Sequence, residues 1–109
     1  MTLEGYDGPE RVLFHYDVAG EDRSTAAQVC QIVFGRTRQT GDPAMPVRQV
    51  SGFIHRPGVV WIGQSVLVLP PKDAEELGLR LRRLRVRVSM AHVPISRAAL
   101  EAFRRRGVV

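Results

Sequence analysis

The sequence lacks most features that mark secreted and membrane proteins. Cys30 is its only cysteine, so the chain cannot close an internal disulfide, and no second cysteine can complete a thiolate metal site. No apolar run approaches the ~20 residues that a membrane-spanning helix needs. The N-terminal stretch MTLEGYDGPER contains neither a basic region nor an apolar segment, so no signal peptide is predicted. We therefore expect a cytoplasmic protein with no membrane association.

Lysine is almost absent, and the basic residues are segregated. Lys72 is the only lysine, and the other fifteen basic residues are arginines. Residues 1–34 contain six acidic and two basic residues, a net charge of −4, while residues 35–109 contain five acidic and fourteen basic residues, a net charge of +9. The planar guanidinium group suits phosphate, so this segregation favours a polyanionic partner. A GC-rich coding sequence or a thermophilic source would also favour arginine over lysine.

The spacing of apolar residues predicts strands and helices along most of the chain. In order, these are a strand over 11–18, a helix over 22–34, strands over 47–56 and 59–70, a helix over 70–84 and a last strand that begins at 85. Residues 36–46 read as a loop, and the Pro57-Gly58 pair predicts a hairpin turn between the two middle strands. Cys30 falls on the apolar stripe of the first helix, which favours a buried position.

This order of elements is the ferredoxin-like βαββαβ pattern. It predicts an α+β fold in which a four-stranded antiparallel sheet carries two helices on one face, with a short C-terminal helix in addition. Residues 1–10 are predicted to be a loose lead-in, residues 11–93 a single ferredoxin-like domain, and residues 94–109 a basic C-terminal extension. Ser96 is a favourable N-cap for the short helix.

Standard topology places the last strand beside the first and brings their outward-facing residues together on the face that no helix covers. That face is predicted to carry Leu13, His15, Asp17, Arg85, Arg87 and Ser89. Arg80 and Arg83 should lie on the outside of the second helix. We therefore expect a cationic wall on the open face of the sheet.

Two residues of this face are candidates for catalysis. Asp17 could bind Mg²⁺, which prefers hard oxygen ligands and often takes only one or two carboxylates. The alternative is that Asp17 pairs with Arg85 or Arg87, or caps the following turn. His15 could act as a general acid or base, or could simply be a half-exposed polar residue.

The arginines form a broader candidate surface for nucleic acid. The predicted contact residues are Arg36, Arg38, Arg80, Arg83, Arg85, Arg87, Arg104, Arg105 and Arg106. Arginines on phosphates displace counterions and give a salt-dependent, sequence-tolerant affinity. The same charge would also serve solubility, thermostabilising ion pairs or a protein partner.

Three stretches, VLFHYDVAGEDR, GQSVLVLPP and RVRVSMAHVPI, resemble the small CRISPR-adaptation ferredoxin-like family, the Cas-two proteins, over residues 11–93. The VapD toxins and the C-terminal domain of PaaX-type repressors share this pattern. The resemblance implies a homodimer joined through the sheets, with nucleic acid along basic surfaces. Some members are metal-dependent nucleases and others are structural scaffolds, and Asp17 matches the aspartate of their first strand. The sequence departs from the pattern in its single basic residue after that strand, Arg23, and in the long connection 36–60.

Three functions therefore stand as hypotheses. The first is a small dimeric protein that binds DNA or RNA through its arginines. The second is a Mg²⁺-dependent phosphodiesterase in which the Asp17 side chains of two subunits hold the metal ion. The third is a regulatory or assembly module whose arginines bind an acidic protein.

Overall fold

The computed structural model describes residues 10–20, 22–38 and 48–107, and within them the side chains of 10–20, 22–36 and 50–103. In chain order the elements are β1 (Arg11–Asp17), α1 (Arg23–Phe34), β2 (Gly35–Arg38), β3 (Arg48–Ser51), a 3₁₀ turn (Phe53–His55), β4 (Val60–Gly63), β5 (Val66–Leu69), α2 (Pro71–Arg83), β6 (Arg87–Val93) and α3 (Arg97–Gly107). The α+β class predicted from the sequence is confirmed.

Four of the strands form one antiparallel sheet in the order β4-β5-β1-β6. The last strand pairs with the first along its whole length, as expected, with Phe14 opposite Met90 and Asp17 opposite Arg87. Strands β2 and β3 form a separate two-stranded ribbon. In the described part of the chain, β6 and β4 are therefore the two edges of the larger sheet.

The main core lies between one face of this sheet and the helices α1 and α2. Strand β1 buries Val12, Phe14 and Tyr16 on that face and exposes Leu13, His15 and Asp17 on the other, so the predicted alternation is confirmed. The fully buried side chains of largest volume are Phe14, Phe53, Leu67, Leu69, Leu77 and Leu81. The prediction that Cys30 is buried is wrong, because its side chain is exposed on α1.

The predicted hairpin is displaced along the chain. Its two strands are β4 and β5, and the turn between them contains Gln64, whose φ of 46° is left-handed. Pro57 and Gly58 instead lie in the turn that leads from the 3₁₀ turn into β4. The predicted strand over 47–56 ends at Ser51, and residues 36–38 of the predicted loop belong to β2, while 39–47 lie outside the described residues.

Two glycines make the β2–β3 ribbon possible where it leaves α1. A Cβ atom at Gly52 would lie 2.3 Å from the backbone nitrogen of Gly35, and a Cβ at Gly35 would lie 2.3 Å from the carbonyl oxygen of Val50. Gly35 also has a φ of 81°, which favours glycine. The sequence pattern of β-branched and polar residues around these glycines does not reveal this close backbone approach.

Helix α3 covers part of the face that was expected to be open. Leu100, which is 3% exposed, packs with Val60 and Val68 in a second apolar cluster that Ile62 and Ile95 border. The Ser96 hydroxyl accepts a hydrogen bond from the backbone N–H of Ala99 at 3.1 Å, as expected of an N-cap. The expectation that helices cover one face only is therefore wrong over β4 and β5, because an amphipathic helix buries its apolar stripe on the nearest apolar strand surface.

Candidate functional site

The uncovered part of the sheet consists of the outer faces of β1 and β6. Asp17 lies opposite Arg87 and His15 lies opposite Ser89, and all four side chains are exposed. Arg85 is not part of this face, because it lies in the turn after α2 with a left-handed φ of 62°. The face thus carries one exposed arginine, Arg87, beside one aspartate, so the prediction of a cationic wall is wrong.

Asp17 and His15 have few partners for metal chemistry. The described residues contain no group of three or more histidine, cysteine, aspartate or glutamate side chains that could hold a metal ion. The cross-strand neighbour of Asp17 is the cation Arg87, although no salt bridge within 4.0 Å joins the two side chains. Any Mg²⁺ bound here would therefore need oxygen ligands beyond those that the described part of one chain supplies.

Arginines converge instead on the helical side of the molecule. A cleft of about 270 Å³ lies between α1, the β2–β3 ribbon, the 3₁₀ turn and α2. Its lining residues are Gln28, Gln31, Ile32, Arg36, Val50, Ser51, Gly52, Phe53, Arg56 and Arg80. One space is thus surrounded by three guanidinium groups, three neutral polar side chains and a buried aromatic ring.

Arg56 is held in place by two carboxylates of α2. Its Nη1 lies 3.1 Å from Asp73 Oδ1 and 3.0 Å from Glu76 Oε1, and its Nη2 lies 2.8 Å from Glu76 Oε2. The hydrogen bonds from Arg56 lower the pKa of the Glu76 carboxyl, and those to Glu76 are the main reason that the pKa of Arg56 is raised. Because both acids lie in the first half of α2, Arg56 fixes this helix against the 3₁₀ turn.

Phe53 forms the floor below two of the guanidinium groups. The Cζ atom of Arg56 lies 3.9 Å from the centroid of its ring, and the Cζ atom of Arg80 lies 5.5 Å from it. Both distances suit cation–π contacts. Phe53 is only 1% exposed, so its ring orients arginines and cannot stack on a ligand base.

The other two guanidinium groups are available to an anion. Arg36 and Arg80 are both exposed, and Nη1 of Arg36 donates a hydrogen bond of 3.2 Å to Gln31 Oε1. Within the part of the chain whose side chains are described, no carboxylate lies within 4.0 Å of either guanidinium. The cleft therefore combines one arginine that is ion-paired with Asp73 and Glu76 and two arginines without such a pair, of which Arg80 still acts on Glu76 at longer range.

The remaining predicted arginines lie in different places. Arg83 is exposed on α2, and Arg87 lies on the opposite side of the sheet from Arg80. The side chains of Arg38 and of Arg104, Arg105 and Arg106 lie outside the described residues. The arginine-rich segment from 80 to 87 thus passes around the end of the molecule and does not form one surface.

Arg56 was missed as a site residue, although the sequence contains a signal for it. Asp73 and Glu76 stand three residues apart, so they share one side of a helix and can bind one guanidinium together. Which arginine they bind depends on the position of the 3₁₀ turn, which was predicted as a strand. Gln28 and Ser51 had no sequence signal at all.

Comparisons with protein-family models, with curated proteins and with solved structures found no match for the chain. Among the described residues, no helix is long and apolar enough to cross a membrane.

Proposed function

We propose that this protein binds the phosphate backbone of DNA or RNA on its helical side, with Arg36 and Arg80 as the central contacts. The observation that carries this proposal is that both guanidinium groups line one cleft and have no described carboxylate within 4.0 Å. The net charge of +9 over residues 35–109 supports a polyanionic ligand.

Each part of the cleft has a distinct role in this proposal. Arg36 and Arg80 neutralise phosphate charge and donate hydrogen bonds to its oxygens. Gln28 and Ser51 line the same space and add neutral donors. Arg56 is a positioning residue, because its hydrogen-bonding capacity is already directed at Asp73 and Glu76. Such contacts hold a backbone without reading its bases, so we expect affinity with little sequence preference.

Fluorescence anisotropy with a labelled duplex and a labelled single strand, over a salt series, tests the proposal. Arg36→Ala with Arg80→Ala should weaken binding and lower the slope of log K against log salt by about one per residue removed. Arg87→Ala with Arg97→Ala is the matched control, because it removes two exposed arginines that do not line the cleft. Absence of wild-type binding at low salt, or equal losses in the two double variants, would contradict the proposal.

We also infer that the larger sheet with α1 and α2 is a ferredoxin-like βαββαβ domain. In support, the connections from β1 to β4 and from β5 to β6 each contain a helix and skip one strand, and every neighbouring pair in the sheet is antiparallel. The β2–β3 ribbon is then an insertion between α1 and β4. Membership of the Cas-two-like family remains a hypothesis that rests on the three sequence stretches.

The nuclease hypothesis has less support from the geometry than binding. Asp17 is exposed at the end of β1, which suits a shared metal ion, but its neighbour Arg87 suits an ion pair. If the protein is a Mg²⁺-dependent nuclease, the Asp17→Asn variant should lose cleavage activity and keep the thermal stability of the wild type. Cleavage by the wild type that this variant lacks would favour catalysis over simple binding.

A further inference from the structure

The outer edge of β6 is a long strand edge with no described partner. β6 spans Arg87–Val93, seven residues, and pairs with β1 on its inner side only. Proteins usually shorten, bend or cover such an edge, because its unpaired backbone groups invite another strand. The opposite edge, β4, has only four residues, and α3 packs against it.

A groove runs alongside this edge, between β6 and α2. Its volume is about 400 Å³, and its walls include Leu79 and Met90, which are 53% and 38% exposed. These are two of the large apolar side chains that the described residues leave exposed. The groove thus places accessible apolar surface directly beside unpaired strand backbone.

The helical wall of the groove has opposite charges at its two ends. Glu75, Leu79 and Arg82 all line the groove, and their spacing of four and three residues places them on one stripe of α2. No salt bridge joins Glu75 or Arg82 to another side chain in the described ranges. A helix that packs antiparallel against an identical stripe would set each Glu75 against the other helix's Arg82.

The centres of the stripe and of the strand coincide. Gly78, which is buried beside the stripe at the level of its middle, would place a Cβ atom 2.5 Å from Cε of Met90. Met90 is the central residue of β6, with three strand residues on either side. One twofold axis that runs beside the molecule can therefore relate the centre of each element to its own copy, which is the condition for a self-complementary interface.

We propose that this edge binds a second copy of the chain, by antiparallel pairing of β6 with β6 about Met90. In that arrangement Leu79 packs near Leu79 of the partner subunit, and Glu75 faces Arg82 of the partner subunit twice by symmetry. Arg87 lies opposite Val93 of the partner subunit, so like charges do not face each other across the strands. The two sheets then form one continuous eight-stranded sheet.

This interface differs from the dimer that the family resemblance implies. A dimer joined through sheet faces would bury the outer surfaces of β1 and β6, including Leu13, and would leave the groove open. The proposed dimer instead leaves Leu13 exposed. It is also independent of the nucleic-acid proposal, because Arg36 and Arg80 line a cleft that shares no residue with this groove.

Charge reversal provides the first test, with sedimentation velocity over a concentration series. Glu75→Arg and Arg82→Glu should each raise the dimer Kd about tenfold, because two symmetry-related attractions become repulsions of modest size. The double variant restores opposite charges and should return Kd close to the wild-type value. Arg97→Glu, an exposed change on α3, which packs against the opposite edge strand β4, is the control and should have little effect.

Cross-linking provides the second test, in a Cys30→Ser background that removes the exposed native thiol. Met90→Cys should form an intersubunit disulfide on oxidation, because residues paired on the axis of antiparallel strands have Cα atoms about 4.5–5.5 Å apart, within disulfide range. Leu13→Cys, on the open face, should not. A monomeric wild type, no rescue in the charge-reversed double variant, or cross-linking through Leu13→Cys alone would each overturn the proposal.

Discussion

Replacement of Arg56 should loosen α2 from the rest of the domain. Arg56→Ala removes three hydrogen bonds to Asp73 and Glu76 and the contact with the Phe53 ring. The side chain of Asp73 is only 23% exposed, so its pair with Arg56 is less screened than the pair with Glu76 at 50%. The loss of the Asp73 pair and the cation–π contact should together lower the free energy of unfolding by about 1–2 kcal/mol.

The pH dependence of this loss has a definite sign. Hydrogen bonds from Arg56 lower the pKa of Glu76 below its ordinary value of 4.5. A carboxyl group with a lowered folded-state pKa stabilises the protein above its unfolded pKa, and this stabilisation is lost as the pH falls through the lowered value. The difference in stability between wild type and Arg56→Ala should therefore be larger at pH 7 than below pH 4.5.

Urea denaturation followed by circular dichroism, at neutral and at acidic pH, measures both effects. Arg56→Lys keeps the charge but not the planar fork that binds Glu76 through two nitrogen atoms, so it should recover only part of the loss. The reasoning would be refuted if Arg56→Ala had wild-type stability at neutral pH, or if its deficit grew on acidification.

Three further predictions concern the fold. Leu100→Ala should cost about 2–3 kcal/mol in urea denaturation, because its 3% exposed side chain joins α3 to the sheet, whereas Phe103→Ala, 39% exposed, should cost much less. Gly52→Ala should lower the free energy of unfolding by at least ~2 kcal/mol, because its Cβ would meet backbone atoms that cannot move aside. Gly20→Ala, with open space around it, should be nearly neutral, and equal melting temperatures of the two variants would contradict this. Burial, with a smaller contribution from Cys30, raises the pKa of Tyr16 from 10.0 to about 12. Its phenol should therefore ionise at a higher pH than a free tyrosine in an ultraviolet titration, and the free energy of unfolding should fall as the pH rises above 10. An ordinary tyrosine pKa for Tyr16 in the folded protein would contradict its burial.

The candidate site was predictable in its residue types but not in its location. The excess of arginine after residue 35 indicated an anionic partner, and Arg36 and Arg80 were among the predicted contacts. The predicted surface also included the open face of the sheet, where the structure has Arg87 beside Asp17. The prediction failed at Arg85, which was expected on the last strand but lies in the turn before it with a left-handed φ of 62°.

The position of the hairpin was predicted wrongly for a related reason. Pro57-Gly58 is a strong turn signal and does form a turn, but the strand that precedes it in the prediction is a 3₁₀ turn in the fold. The β2–β3 ribbon depends on backbone contact between Gly35 and Gly52, seventeen residues apart. Local propensity carries no information on such a contact.

The sequence by itself determined the α+β class, the bounds of α1 and α2 to within one residue, and the alternating faces of β1. Those features depend on the period of apolar residues and on short-range capping, which act between neighbours in the chain. Only the tertiary structure decided that α3 covers β4 and β5, that Arg56 binds Asp73 and Glu76, and that Arg36 and Arg80 share a cleft. These contacts join elements distant in sequence, and their geometry is set by how the packed layers fit together.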